Sequence, residues 1–318
     1  MTTLVTGAAG FVGQHLLRDL LLAGEEVAGA TLDGHPPEPG PLAAEDPRAV
    51  RWISLDVTSS DSVKAALDEV RPGRVYHLAA QSSVGESFRH PLETWTVNAT
   101  GTFTLLEALV HSERPVRFLL PSSAEVYGPV PEREQPISED RPLSPVTPYA
   151  ASKAAAEMAA RAATRSSLVE PLVARGFNHT GPGQNRRFAL PGFARQLVEQ
   201  RGSPEPVLKT GNLKVRRDFL DVRDVVRAYR LLMERGEPGR AYNVCSGRAY
   251  SLAELCNRLV EVSGVKARVL SEPRRRRSLD LPLLVGDPSR LRALGWEPEI
   301  SLDRTLEELI RGVERGWT

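Results

Sequence analysis

The sequence predicts an α/β fold: a doubly wound parallel sheet of the Rossmann type, followed by a smaller mixed α/β lobe. Short apolar strands alternate with amphipathic helices through the first half, and a glycine-rich turn joins the first strand to the first helix. From about residue 176 the alternation becomes mixed. A chain of 318 residues is long enough for more than one structural unit. We therefore divide it into residues 1–175 and 176–318, with some chain crossing back to the first unit.

Composition argues against several classes of protein. The net charge is only +1, and no apolar run approaches the ~20 residues of a membrane-spanning helix. We therefore expect neither a nucleic acid nor a membrane as partner. The two cysteines, Cys245 and Cys256, are too few for a disulfide framework or a metal cluster, so free thiols and no metal are expected. Because residues 2–6 already predict a strand, we expect no signal peptide, which favours the cytoplasm.

The first strand, residues 3–6, runs directly into a turn with three regularly spaced glycines. Glycines in such a turn allow a tight bend, close approach of a pyrophosphate to the backbone, and close packing of helix on strand. The free N–H groups and the dipole of the following helix favour bound phosphate. The turn therefore predicts a dinucleotide site formed by Gly7, Gly10, Phe11, Val12 and Gly13.

The end of the second strand, residues 26–30, bears on which dinucleotide binds. An acidic residue there selects NAD(H), whereas a basic residue accepts the 2′-phosphate of NADP(H). This chain has Thr31, which is expected at the adenosine ribose, and Asp33 is equally well explained as a turn residue. We therefore expect NADP(H) or NAD(H), with a slight preference for NADP(H).

Two further strands, residues 52–55 and 75–78, end at the predicted coenzyme site. A carboxylate after the first can reach the adenine, and small residues after the second let a coenzyme lie against the backbone. Asn98 is expected on the next helix, residues 92–109. His77, in the middle of its strand, is interpreted as a hydrogen-bonded core residue. The predicted contacts from these segments are Asp56, Val57, Leu78, Ala79, Ala80, Gln81 and Asn98.

A tyrosine and a lysine four residues apart, Tyr149 and Lys153, share one face of an alanine-rich predicted helix. An ammonium beside a phenol lowers the phenol pKa, so the pair can exchange a proton with a carbonyl oxygen or an alcohol. This spacing alone is also common on exposed helices. Ser123 and Glu125 follow strand 118–120 and point toward the coenzyme. The serine hydroxyl can donate to the carbonyl oxygen, although a serine there can also simply cap a turn.

The second half predicts four helices, at residues 191–200, 221–235, 252–262 and 302–315, separated by short strands and loops. The last of them is amphipathic, with its leucines on one face. This arrangement predicts a smaller substrate-binding lobe that closes over the coenzyme-binding unit.

Together these motifs resemble the extended short-chain dehydrogenases/reductases that modify nucleotide sugars. The resemblance spans nearly the whole chain and rests on the glycine turn, Ala79-Ala80-Gln81, the run Ser-Ser-Ala-Glu-Val-Tyr-Gly at 122–128, and Tyr149-x-x-x-Lys153. Within the family, segments 175–184, 209–224 and 242–247 resemble those of the enzymes that act on GDP-mannose and its derivatives.

The resemblance implies a catalytic triad, a substrate and an assembly. Tyr149 would protonate the C4 oxygen of the sugar, Lys153 would lower the tyrosine pKa and hold the nicotinamide ribose, and Ser123 would orient the ketone. A homodimer is implied through a four-helix contact of helix 154–163 and the helix around Leu105. The implied contacts to a GDP-sugar are Gln81, Ser82 and Ser83 in the first unit, and Asn178, Arg217 and Arg277 at the diphosphate.

The implied reaction is reduction by NAD(P)H of the C4 ketone of a GDP-4-keto-6-deoxy-hexose to a GDP-6-deoxy-hexose of the GDP-rhamnose type. Dehydratases of the family carry Thr, then Asp or Ser, then Glu where this chain has Ser123, Ala124 and Glu125. Because the Ala124 side chain can neither donate nor accept a proton, reduction is favoured. Glu125 is a candidate base for the C5 proton, so dehydration of GDP-mannose stays open, as does other nucleotide-sugar chemistry such as epimerisation. A non-catalytic dinucleotide sensor is disfavoured by the complete triad.

Overall fold

The computed structural model describes residues 1–37, 40, 49–272 and 281–317. The strands are β1 (Thr3–Thr6), β2 (Val27–Thr31), β3 (Arg51–Ser54), β4 (Arg74–His77), β5 (Val116–Ser123), β6 (Val169–Gly176), β7 (Asn178–Thr180), β8 (Val207–Thr210), β9 (Arg216–Asp221), β10 (Ala241–Val244), β11 (Ala249–Ser251), β12 (Arg268–Ser271) and β13 (Leu283–Leu284). The helices are α1 (Phe11–Leu22), α2 (Ser60–Val70), α3 (Val84–Arg89), α4 (Pro91–Trp95), α5 (Gly101–Val110), α6 (Pro148–Ala163), α7 (Ala189–Glu199), α8 (Val222–Arg235), α9 (Leu252–Ser263), α10 (Ser289–Arg292) and α11 (Leu302–Glu314).

The large sheet has the strand order β3-β2-β1-β4-β5-β6-β10, and every pairing in it is parallel. This order is the doubly wound 3-2-1-4-5-6 arrangement with one further strand added at the β6 edge. Strands β1 and β4 mark the point where the chain reverses direction along the sheet, and ligands of such sheets bind there, at the carboxyl ends. The predicted fold class is confirmed.

Helices cover both faces of this sheet, as its strands, buried on both sides, require. On one face, leucines of α1 share a core with Val225, Tyr229 and Leu232 of α8. On the other face, α2, α5 and α6 pack against the sheet through residues such as Val63 and Leu105. Although α8 and β10 belong to the second half of the sequence, residues 222–244 therefore return to the large sheet.

The smaller lobe is built around β9, which pairs in parallel with β7 and β13 and antiparallel with β11. A second, parallel pair joins β8 to β12. Helices α7, α9 and α11 form the lobe's own core, in which Leu197, Leu259 and Leu309 are buried. Strand β7 starts two residues after β6 ends, so the small sheet begins directly at the carboxyl edge of the large one.

The helix predicted over residues 92–109 is interrupted by a π-helical turn, Thr96–Thr100, between α4 and α5. Next to this turn, the Thr102 hydroxyl donates to the backbone carbonyl of Asn98 at 2.6 Å, so a side chain hydrogen-bonds to a backbone acceptor of the helix. The side chain of Asn98 is buried, with 1% of its surface exposed. A π turn adds one residue without changing composition, so hydrophobic periodicity gives no sign of it. The predicted helix is therefore present as one helical run over residues 91–110, with a π turn that the prediction did not include.

The strand predicted over 118–120 is eight residues long in the structure. Its pairing with β4 ends at Leu119, whereas its pairing with β6 continues to Ser123, opposite Gly176. Pro121 interrupts the apolar pattern, but it lies beyond the β4 edge, where a missing N–H is tolerated. The extension carries Ser123 past the end of β4.

Across the described parts of the chain, none of the helices has the length and apolar character needed to span a bilayer.

Candidate active site

The three glycines of the first turn are each required by a close approach. Gly7 has φ +64°, and a Cβ there would lie 2.7 Å from the Ala79 nitrogen. A Cβ on Gly13 would lie 2.5 Å from the Gly7 carbonyl oxygen, so α1 packs directly on the turn. Gly10 is the N-cap of α1, whose first ladder bond runs from the Gln14 N–H to the Gly10 carbonyl. The N–H groups before Gln14 are therefore available to phosphate, and the turn fits a dinucleotide.

The side chains next to this turn connect α1 to the smaller lobe. The Phe11 ring stacks on the His179 ring, with centroids 6.1 Å apart. His15 bonds through Nε2 to the Pro182 carbonyl at 2.9 Å, and burial lowers the pKa of His15 to about 4. Because it is neutral at pH 7, His15 donates this bond without placing a charge beside the turn. Any Phe11 contact to a coenzyme would therefore come mainly from its backbone.

At the ends of β2 and β3 the side chains are held by local hydrogen bonds. Asp33 accepts from the Thr31 hydroxyl at 3.0 Å and from the His35 N–H at 3.1 Å, which is a turn arrangement. Asp56 accepts from the hydroxyl and the N–H of Thr58, and these bonds hold its pKa below the usual range. The Val57 side chain is buried in the core, so only its backbone faces the predicted adenine site.

His77 is a fully satisfied core residue, as predicted, and it joins two functional segments. Its Nε2 donates to the Thr102 hydroxyl at 3.0 Å, because the Thr102 proton is directed to the Asn98 carbonyl. Since the buried ring is neutral, its Nδ1 is the acceptor and takes the proton of the Thr6 hydroxyl at 2.9 Å, while the same hydroxyl oxygen accepts the Ala79 N–H. A continuous chain of hydrogen bonds therefore runs from the first turn to Asn98.

Asn98 continues this chain to the catalytic helix. Its Oδ1 accepts the Gln81 N–H at 2.8 Å, and its Nδ2 donates to the Gln81 carbonyl and to the Ser152 hydroxyl. The Ser152 hydroxyl in turn donates to the Tyr149 carbonyl at 2.8 Å. Asn98, predicted as a coenzyme contact, thus fixes the loop after β4 relative to the first turn of α6.

The three residues of the predicted triad come together at the carboxyl edge of the large sheet. Ser123 ends β5, and its hydroxyl lies close enough to the phenol of Tyr149, in the first turn of α6, to influence the phenol pKa. The same hydroxyl accepts the Glu125 N–H at 3.2 Å, so Ser123 also caps the short helix that follows. The Lys153 ammonium donates to the Pro121 carbonyl at 2.9 Å. The Thr147 hydroxyl caps α6 by accepting the N–H of Ala150, the third helical residue. This cap fixes the start of the helix and therefore the position of Tyr149 in its first turn.

The protonation states of this site differ from the sequence-based expectation. Burial raises the pKa of Tyr149 to about 12; the Ser123 hydrogen bond opposes this shift, and the nearby Glu125 carboxylate adds to it. Burial lowers the pKa of Lys153 to about 8. The expected lowering of the tyrosine pKa is therefore wrong for the chain alone, because burial is the largest influence on that pKa and raises it. The Lys153 ammonium bonds to the Pro121 carbonyl. At neutral pH the phenol holds its proton, and Lys153 is mostly cationic.

The residues predicted for substrate binding divide into two groups. Asn178 and Arg217 line a cavity of about 280 Å³ between α7 and β9, and Asn178 follows Gly176, the last residue of β6, by two positions. Arg217 donates to the Leu281 carbonyl at 2.6 Å, which holds its side chain along the cavity wall. Sequence reasoning did not assign several polar and cationic lining residues: Arg186, Arg187, Gln196, Lys209 and Asn212. Their signals were a basic pair before α7 and the family-like segment that begins at Lys209.

The loop after β4 contributes less to this cavity than predicted. The Gln81 amide donates to the Thr94 hydroxyl and to the Ser83 carbonyl, and the Ser83 hydroxyl caps α3 by accepting the Glu86 N–H. Both side chains are therefore engaged within their own segment. Ser82 is exposed and accepts a bond from Arg187 of the smaller lobe at 3.4 Å. The predicted contact Arg277 lies outside the described residues.

A dinucleotide-binding turn combined with a Ser–Tyr–Lys site at the carboxyl edge of a parallel sheet defines an extended short-chain dehydrogenase/reductase. More narrowly, the chain belongs to the family described as GDP-mannose 4,6 dehydratase, whose model matches residues 4–309. This confirms the predicted family.

Individual relatives carry out two different reactions. The chain is 37% identical to a GDP-6-deoxy-D-mannose reductase from Pseudomonas aeruginosa, over 96% of this chain and 95% of the relative. It is 30% identical to a GDP-mannose 4,6-dehydratase from Vibrio cholerae, over 96% of this chain and 92% of the relative. Among solved structures, RMD from Pseudomonas aeruginosa complexed with NADPH superposes with a TM-score of 0.86 at 35% identity, covering 99% of both chains.

Proposed function

We propose that this protein reduces the C4 ketone of a GDP-4-keto-6-deoxy-hexose to a GDP-6-deoxy-hexose of the GDP-rhamnose type, with NADPH as reductant. The observation that carries the proposal is a buried, protonated Tyr149 phenol beside Ser123 at the carboxyl edge of the sheet, where β6 is followed by Asn178, a residue that lines the cavity. Similarity to a GDP-6-deoxy-D-mannose reductase, and to a structure that holds NADPH, supports it.

Each member of the triad has a distinct task in this reaction. When bound, the coenzyme supplies the hydride. Tyr149 gives its proton to the C4 oxygen as charge develops there, and the Ser123 hydroxyl donates a second hydrogen bond that orients the ketone. Lys153 places a positive charge beside the tyrosinate that proton transfer leaves behind. The phenol is protonated at neutral pH, which suits a site that begins its cycle as an acid.

The cavity provides the contacts that a nucleotide diphosphate requires. Arg217 presents a planar guanidinium, which matches phosphate oxygens better than a point charge does. Asn178 lies at the mouth of the cavity, and Arg187 and Lys209 add positive charge around it. The proposed diphosphate site therefore consists of Asn178 and Arg217, with the adjacent cations raising its affinity for anions, and Arg277 stays a predicted member.

Dehydration of GDP-mannose is the second candidate, and the environment of Ala124 disfavours it. Ala124 is 2% exposed and belongs to an apolar cluster with Tyr127, Phe177 and Cys245. A carboxylate at this position, as some dehydratases carry, would be buried among apolar side chains at a large cost in free energy. Glu125, by contrast, lies close enough to raise the pKa of Tyr149, so it stays a candidate base.

The variant Glu125→Gln separates the two reactions, because only dehydration needs the carboxylate as a base. With GDP-4-keto-6-deoxy-mannose and NADPH, we expect kcat within about tenfold of wild type, since Tyr149 and Ser123 are intact. The exposed Glu132→Gln is the matched control. If wild type instead formed a 4-keto sugar from GDP-mannose, and kcat for that dehydration fell about a hundredfold or more in E125Q, the protein would be assigned to the dehydratases.

Two further assignments complete the proposal. NADPH is favoured over NADH because the residue that ends β2, Thr31, has no carboxylate to bind the ribose hydroxyls of NADH. The nearby Asp33 carboxylate already accepts hydrogen bonds from Thr31 and His35 within its own turn. Measuring kcat/KM with each coenzyme tests this first assignment, and an equal or higher value for NADH contradicts it.

The second assignment is the compartment, which is proposed to be the cytoplasm, where buried free thiols such as Cys245 and Cys256 stay reduced.

We also propose a homodimer in which two helices of each copy form a four-helix contact: the contiguous helical run of α4 and α5, and α6. Large apolar side chains on these helices face outward: Leu92 is 76% exposed, Phe103 56% and Met158 48%. Leu105, on the same helix as Phe103, is fully buried in the core, so the proposed contact uses the opposite, outward face of α5. We expect wild type to elute with twice the chain mass in light scattering, and Phe103→Glu as a monomer. Val262→Glu, on α9, is the control; a monomeric wild type contradicts the proposal.

A further inference from the structure

Glu157 lies one helical turn after Lys153 on α6, and it is almost completely buried, with 3% of its surface exposed. Its carboxylate accepts two hydrogen bonds from the Arg175 guanidinium, with a closest N–O distance of 2.8 Å. It also accepts a short bond from the Ser122 hydroxyl, on the residue that precedes the catalytic serine. A buried carboxylate held this tightly indicates a function beyond helix stability.

The position of this carboxylate is fixed from both neighbouring strands. Arg175 lies on β6 and also donates to the Tyr127 hydroxyl at 3.1 Å and to the Glu139 carbonyl at 2.9 Å. The Tyr127 hydroxyl in turn donates to Asn243 on β10. Arg175 is thus held by a network of its own, so Glu157 cannot move without breaking several buried hydrogen bonds.

Lys153 contacts the same stretch of β5 as Glu157. Its ammonium bonds to the Pro121 carbonyl, one residue before Ser122, so the two side chains reach adjacent residues of the strand. Two other titratable groups near Lys153 in the described part of the chain are uncharged at neutral pH: His77 on β4 is buried and neutral, and Tyr149 is a phenol. Glu125 acts on the phenol, from the short helix after β5.

We propose that Glu157 is a positioning residue that keeps Lys153 cationic in its buried site, with Arg175 and Ser122 holding the carboxylate in place. Burial alone would drive the lysine toward its neutral form, which could not stabilise a tyrosinate. Glu157 is the charged group that opposes this effect of burial on the Lys153 pKa. The catalytic consequence rests on the proposed function, whereas the charge of Lys153 can be measured without any substrate.

The test is a pH titration of Lys153 in protein labelled with ¹³C at the lysine ε-carbons. The chain has only five lysines (Lys64, Lys153, Lys209, Lys214 and Lys266), and Lys153→Met assigns the resonance. We expect Glu157→Gln to lower the Lys153 midpoint by about one pH unit or more, because a neutral amide removes the charge but preserves an acceptor. Glu157→Asp, which keeps the charge, should stay near wild type, as should Ser122→Ala, which removes one hydrogen bond only.

The double variant Glu157→Gln/Arg175→Met guards against misfolding, because it leaves neither charge of the buried pair uncompensated. The Lys153 midpoint should fall in it as well, since Glu157 is the member of the pair that acts on the Lys153 pKa. In the reductase assay, the alkaline limb of kcat should move to lower pH in E157Q by the same amount. An unchanged Lys153 midpoint in both variants overturns the proposal. Absent reductase activity with a shifted midpoint overturns only the proposed function.

Discussion

Replacing Tyr149 by Phe is expected to lower kcat for ketone reduction by about a thousandfold, because the variant has no group that can protonate the C4 oxygen. The ring stays in place, since Tyr149 is 8% exposed and packs as the first buried residue of α6. Coenzyme affinity should therefore change little. Single-turnover oxidation of NADPH, followed by absorbance after mixing with the keto sugar, measures the effect directly.

The matched control for this variant is Tyr76→Phe, in the core of the large sheet and away from the site. It loses a hydroxyl from a buried tyrosine but should keep wild-type kcat. If Y149F retained more than about a tenth of the wild-type rate, Tyr149 would not be the proton donor, since a general acid contributes at least ~100-fold. Glu125 would then be the next candidate to examine.

Placing a methyl group at Gly13 should abolish useful coenzyme binding. A Cβ there would lie 2.5 Å from the Gly7 oxygen and 2.6 Å from the Ala8 oxygen, and both atoms are backbone that cannot move aside. We expect Gly13→Ala to weaken NADPH binding at least ~100-fold, which corresponds to about 2.7 kcal/mol. It should also lower the free energy of unfolding by about 3 kcal/mol, at the upper end of the usual cost of overpacking.

Gly85→Ala provides the comparison, because this glycine is also helical but has only the Ser83 hydroxyl near its added carbon, at 3.8 Å. Titration of NADPH by intrinsic fluorescence gives the affinity, and chemical denaturation gives the stability. Gly13→Ala with wild-type affinity would mean that the turn after β1 does not hold the coenzyme.

Much of the fold could be predicted because its signals are local. Strand and helix periods differ, and the turn with Gly7, Gly10 and Gly13 places the first helix on the first strand. Parallel strands end at one edge, so a serine after β5 and a tyrosine opening the next helix could be expected to meet. The structure brings Ser123 and Tyr149 together there.

The errors arise where tertiary contacts decide the outcome. The raised pKa of Tyr149 results from burial and from the nearby Glu125 carboxylate, neither of which is visible in a four-residue spacing. The engagement of Gln81 within its own loop depends on Thr94, thirteen residues away. The cations Arg187 and Lys209 become neighbours of one cavity only when α7 and β8 pack together.

The most direct test of the central claim is to mix purified protein with NADPH and GDP-4-keto-6-deoxy-mannose and to identify the sugar product by mass spectrometry and NMR. Reduction predicts oxidation of one NADPH per GDP-6-deoxy-hexose formed, with Tyr149→Phe inactive in parallel. No NADPH oxidation, together with conversion of GDP-mannose to its 4-keto-6-deoxy form in the presence of oxidised coenzyme, would contradict the claim and assign the protein to dehydration.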